Sequence, residues 1–136
     1  MRRLYWDSCI FIYRVQQVAP WHERIALRLD QVAATPYRLV VTDLTRMECR
    51  VLPLRQGDDD MRDRYDATFV RPEIERVACT STVFDLATEL RAQQGLKTPD
   101  ALHLAAALDA GCDEFWTNDD RLEKAAAGRI AIVTFA

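Results

Sequence analysis

Leu4-Tyr5-Trp6-Asp7-Ser8 joins three apolar residues, two of them aromatic, to an acid and then to a residue that caps helices. That order reads as a buried strand feeding directly into a helix, with Asp7 at the strand's carboxyl end. The pattern returns downstream. Leu39-Val40-Val41 is a second buried strand, and Thr42 or Thr45 is placed to cap a helix that carries Met47, Val51 and Leu52 and stops before Pro53. Phe115-Trp116-Thr117 is another strand, followed by a helix from about Asn118 to Ala127 and a last strand from Ile130 to Phe135.

Helices fill the intervals. Pro20 stands at a first helical position, and Trp21, Ile25, Leu29 and Val32 recur at helical spacing to about Ala34. Gly57-Asp58-Asp59-Asp60 starts a strongly charged helix, Ile74 to Cys79 is short and half apolar, and Thr80-Ser81-Thr82 caps a helix that runs to Gly95. Thr98 reads as a cap, Pro99 as the first helical residue and Asp100 as a first-turn acid of a helix reaching Gly111. Strands alternating with helices predict an α/β fold: three layers, α/β/α, around a mainly parallel central sheet. No linker or repeat interrupts the pattern, so residues 1–136 are expected to form a single domain.

Composition narrows the function classes. With 49% hydrophobic and 29% charged residues, 4 Gly and 5 Pro in 136 positions, the chain is too apolar and too regular to be disordered. Its longest apolar runs, Cys9–Tyr13 and Leu104–Leu108, are far below the ~20 residues of a membrane span. Asp7 and Arg14 interrupt the amino terminus before a signal-peptide core can form, so a cytoplasmic protein is expected. Cys9, Cys49, Cys79 and Cys112 form no C-x-x-C pair and read as reduced, mostly buried thiols. A net charge of -3 argues against a protein that grips nucleic acid through bulk positive potential alone, so any such role needs another source of cation.

Ligands of an open parallel sheet gather at the carboxyl ends of its strands. Asp7 and Asp119 follow strands there, Asp100 opens a helix, and Glu48 lies about one turn into the helix after the second strand. Each acid has an ordinary reading. Asp7 can cap or turn, Thr45-Arg46-Met47-Glu48 matches a capping box, Asp100 complements a helix dipole, and Asp119 can cap a helix beside Asn118 and Asp120. Converging, they would repel one another unless hard divalent cations neutralise them, and neutralising substitutions should then leave melting nearly unchanged. Magnesium or manganese there would support phosphodiester hydrolysis. His103, one turn after Asp100, reads as a core or supporting histidine; Ser8, Thr117 and Asn118 are candidates to orient carboxylates or water, or simply to cap.

Tyr5-Trp6-Asp7-Ser8, Thr45-Arg46-Met47-Glu48, Lys97-Thr98-Pro99-Asp100-Ala101-Leu102-His103 and Trp116-Thr117-Asn118-Asp119, in this order, resemble the PIN-domain ribonucleases, most closely the VapC-type toxins of toxin-antitoxin pairs. The resemblance spans nearly the whole chain. It implies an endoribonuclease in which Asp7, Glu48, Asp100 and Asp119 bind Mg2+ or Mn2+ and cleave RNA, a small VapB-like antitoxin that blocks the site, and a homodimer. A shift of one residue would exchange Asp119 for Asp120. Two alternatives are a phosphoacceptor receiver domain, which needs a lysine after a late strand whereas the final strand here, Ile130 to Ala136, ends without one, and an inert PIN-like interaction module.

Overall fold

The sheet is built from the strand-to-helix units that the sequence predicts. The computed structural model describes residues 1–135; Ala136, the end of the expected domain, lies outside them. In chain order the first half comprises β1 (Arg2–Trp6), α1 (Ser8–Val15), α2 (Trp21–Val32), β2 (Tyr37–Val41), α3 (Asp43–Gln56) and α4 (Asp59–Phe69). The second comprises β3 (Ile74–Arg76), α5 (Ser81–Gln94), α6 (Thr98–Asp109), β4 (Glu114–Thr117), α7 (Arg121–Ala126) and β5 (Ala131–Thr134).

Every strand pairing is parallel, in the order β3-β2-β1-β4-β5. This differs from the 2-1-3-4-5 order of receiver domains, which removes that alternative. Parallel neighbours need crossovers, and the crossovers put helices on both faces. Tyr5, Val40 and Phe115 pack on one side with residues of α5, α6 and α7. Leu4, Trp6, Leu39, Val41 and Trp116 pack on the other with residues of α1, α2 and α4.

Aromatic pairs lock the two central strands together. Trp6 sits opposite Trp116 in the register, with ring centroids 5.5 Å apart, while Tyr5 stacks on Phe115 at 5.1 Å. Each fully buried ring of 150–250 Å² contributes about 4–6 kcal/mol of hydrophobic stabilisation before entropy is subtracted. A one-residue slip would turn every one of these rings to the wrong face. The register therefore fixes where Asp7 stands relative to Thr117. Chain order runs from β1 outward to β2 and β3 on one side and places β4 and β5 on the other, so the crevice between β1 and β4 is the topological switch point.

Four local expectations are corrected. α3 runs through Pro53 to Gln56 and ends at Gly57, which adopts the left-handed φ of 65°. An interior proline costs ~3 kcal/mol, and the burial of Pro53 against the fold offsets that loss. At α6 the cap is Lys97, not Thr98; Thr98 and Pro99 both fall in the first turn, where backbone N–H groups lack helical partners anyway. α7 starts at Arg121, because Asn118 to Asp120 form the loop over the sheet edge. All four cysteines are free, but only Cys49 is fully buried.

Candidate active site

Asp7 is the N-cap of α1 and stands beside β4. Its backbone N–H donates to the Trp116 carbonyl at 3.0 Å, and its Oδ1 accepts the Ser8 backbone N–H at 2.8 Å. Its other oxygen, Oδ2, accepts the Thr117 hydroxyl at 2.9 Å. Both oxygens are held by neutral donors, so the carboxylate keeps a fixed direction.

Glu48 is freed for the site by the way α3 begins. Thr42 is the N-cap, and Thr45 completes the reciprocal capping box with it. The capping-box reading of Glu48 thus fails, because the helix starts one turn earlier than that reading requires. The Oε1 of Glu48 accepts the Ser8 hydroxyl at 2.7 Å and pairs with His103 Nε2 at 2.5 Å. Burial pushes the Glu48 carboxyl upward, but the His103 hydrogen bond and charge together with the Ser8 hydroxyl outweigh it, leaving the group below its ordinary value.

His103 is buried, and it is the hub that sequence reasoning undervalued. Its Nδ1 lies 2.6 Å from the Tyr5 hydroxyl, while its Nε2 faces Glu48 and stands 3.8 Å from Asp7 Oδ1. Burial raises the Tyr5 hydroxyl far above the range in which it could ionise, so Tyr5 stays neutral. Tyr5 and Glu48 engage the two ring nitrogens from opposite sides and fix the orientation of the His103 ring. The helical spacing of His103 from Asp100 signalled this place; the role of Tyr5 had no signal, since it depends on α6 crossing β1.

Asp100 and Asp119 behave differently from that pair. Burial raises the Asp100 carboxyl first, and the charges of Asp7 and Asp119 raise it further against the opposing pull of His103 and Arg121. Three of the predicted acids therefore share one electrostatic field. Asp119 is clamped by Arg121, whose Nη2 donates to Oδ2 at 2.6 Å and whose Nε donates to Oδ1 at 2.9 Å, and this pair holds the Asp119 carboxyl below its usual value. Asp120 is exposed and makes no side-chain cap bond. The Asn118 amide donates to the Tyr13 hydroxyl at 3.3 Å.

Among the described residues, no three His, Cys, Asp or Glu side chains stand at metal-ligating distance. The donor set nonetheless suits magnesium or manganese: it is all carboxylate and hydroxyl oxygen, and magnesium keeps several waters while using one or two carboxylates. Tight clustering of bare acids would itself be opposed by their repulsion.

The PIN domain family model matches residues 4–128. The chain belongs to the PIN-domain family. No curated relative matches it. Among solved structures it resembles VapBC2 from Rickettsia felis bound to a promoter DNA fragment, with a TM-score of 0.76 at 12% identity over 98% of this chain and 99% of that one. It also resembles the Mycobacterium tuberculosis toxin VapC20, which cleaves the sarcin-ricin loop, with a TM-score of 0.73 at 16% identity over 92% and 95% of the two chains. A toxin-antitoxin complex from Klebsiella pneumoniae matches with a TM-score of 0.71 at 21% identity over 96% of each chain. These likenesses establish a shared PIN fold.

Proposed function

We propose that this PIN domain is a magnesium- or manganese-dependent endoribonuclease and the toxin of a VapBC-type pair. The observation that carries the reading is the placing of Asp7 and Glu48 on the shared partners Ser8 and His103 at the switch point, with Asp7 held by Thr117 as well and Asp100 within the field of Asp7 and Asp119. An inert interaction module has no need of oriented, mutually repelling acids.

Asp7, Asp100 and Asp119, with Glu48 beside them, would hold the cation, which when bound supplies an ionised water and offsets charge on the leaving oxygen. Thr117 and the Ser8 N–H keep Asp7 fixed. Ser8 and His103 draw on the same Glu48 oxygen and prevent that side chain from swinging into solvent. Arg121 shows that a guanidinium already fits against one of these acids, which supports an antitoxin arginine as the blocking group. The VapBC complexes among the similar structures support a small VapB-like partner, and exposed Met47, Val51 and Leu54 along one face of α3 support a homodimer. No helix of the described residues is long and apolar enough to cross a membrane, which accords with the proposed cytoplasmic location.

The test is cleavage of RNA by the purified chain with magnesium or manganese, and its loss in excess chelator; undiminished cleavage in chelator defeats the metal reading. Expression alone should slow growth, and the small protein encoded beside it should restore growth and co-purify. A partner that binds equally well after all four acids are neutralised would defeat the proposed mode of inhibition.

A further inference from the structure

Of the 18 Lys and Arg residues 16 are Arg, and the two exceptions, Lys97 and Lys124, line the same groove. That groove, of about 460 Å³, runs between the end of α5, the start of α6 and α7. Arg121 lines it as well, with Gln93 and Gln94, and Asp100 is its one carboxylate. With Arg121 already paired to Asp119, the two lysines against Asp100 still reverse the sign of a chain whose net charge is -3. Lys97 and Lys124 are exposed, and among the described residues neither is engaged in an ion pair. Their ammonium groups are therefore available to a ligand.

The groove is continuous with the acids. Asp100 belongs to both, and Arg121 touches Asp119 while facing the groove. A polyanion lying along Lys97 and Lys124 would be delivered to the carboxylates that would otherwise repel it. No aromatic ring lines the groove, so bases have no stacking platform there; the cations can track a backbone without reading its sequence.

We propose that Lys97, Arg121 and Lys124 form a phosphate-backbone subsite for single-stranded RNA beside the acid cluster. The proposal rests on the nuclease reading for the identity of its ligand. Its test is binding, so that the two can fail separately. Fluorescence anisotropy of a short labelled single-stranded oligoribonucleotide of mixed sequence is followed in EDTA, where metal-dependent cleavage is silent, across a salt series. Each phosphate contact to a single strand contributes about 0.7 to the slope of log affinity against log salt. Lys97→Ala with Lys124→Ala should weaken binding several-fold at low salt and make the slope shallower by about 1.4. Lys97→Arg with Lys124→Arg should restore both. Arg129→Ala, which removes a cation just before β5 at the opposite edge of the sheet, should leave the slope unchanged.

An unchanged slope and affinity in the double alanine variant would overturn the subsite. So would an equal effect of Arg129→Ala, which would assign the binding to overall charge. Wild-type chain that binds RNA with this lysine dependence but never cleaves it would sink the nuclease reading and leave the subsite standing.

Discussion

Neutralising Glu48 and neutralising Asp100 should move stability in opposite directions, although both acids face the same crevice. Glu48 sits below its ordinary value of 4.5, so its ionised form stabilises the fold; that contribution is present above pH 4.5 and is lost as pH falls through the folded value. Asp100 sits above its ordinary value of 3.8, so its contribution is present below that pH and is lost as pH rises through the folded value. Glu48→Gln keeps the shape but makes the acceptor of two hydrogen bonds neutral. A hydrogen bond to a charged acceptor is worth roughly 1 kcal/mol more than one to a neutral acceptor, and partial solvent screening of the site brings the total to about 1–2 kcal/mol. With an unfolding entropy near 2.1 cal/mol/K per residue, 136 residues lose about 4–7 °C of melting temperature. Asp100→Asn should instead melt above the wild type at neutral pH. The Asp100 difference should shrink as pH falls through the folded value and below 3.8, and the Glu48 difference as pH falls below 4.5 and through the folded value. Circular-dichroism melts of the three proteins at neutral pH and across an acid series measure this. A Glu48→Gln protein more stable than wild type at neutral pH, or an Asp100→Asn protein less stable, would refute the account of how the charges are compensated. On this account Glu48 departs from the expectation from sequence that the neutralised variants melt alike, because its donors outweigh the cost of its burial.

Three further outcomes follow from individual contacts. His103→Phe fills the volume but leaves the Tyr5 hydroxyl and Glu48 without their partner, which should cost about 2–4 kcal/mol and most of the RNA cleavage; a melt within a degree of wild type would show that the network carries no stability. Thr117→Val keeps the shape of a fully buried side chain and removes the donor to Asp7, so kcat should fall more than KM rises, while an unchanged kcat would mean that Asp7 needs no such support. Asp119→Asn should lower cleavage more than Asp120→Asn, since Asp119 is the one whose charge reaches Asp100; the reverse order would assign the fourth acid to Asp120.

What could be read from the sequence was whatever depends on neighbours in the chain. Leu-Tyr-Trp before Asp7 and Phe-Trp-Thr before Asp119 announce strands, and a strand's carboxyl end is a place the parallel sheet then brings to one edge. Thr42 and Thr45 share the spacing that made Glu48 look like a cap, and only the start of α3 separates the two readings. The compensation of the acids lay outside the sequence's reach because it runs between elements: Tyr5 to His103 across β1 and α6, Ser8 to Glu48 across α1 and α3, Thr117 to Asp7 across β4 and β1. Those contacts, with the Asp119–Arg121 pair, give three acids distinct partners. Asp7 has neutral donors, Glu48 has His103, and Asp119 has Arg121. Asp100 has no hydrogen bond among the influences acting on it and carries the remaining repulsion. It is also the acid that lines the lysine groove, so the least compensated charge stands where cations, whether from solvent or carried by the chain, have most to neutralise.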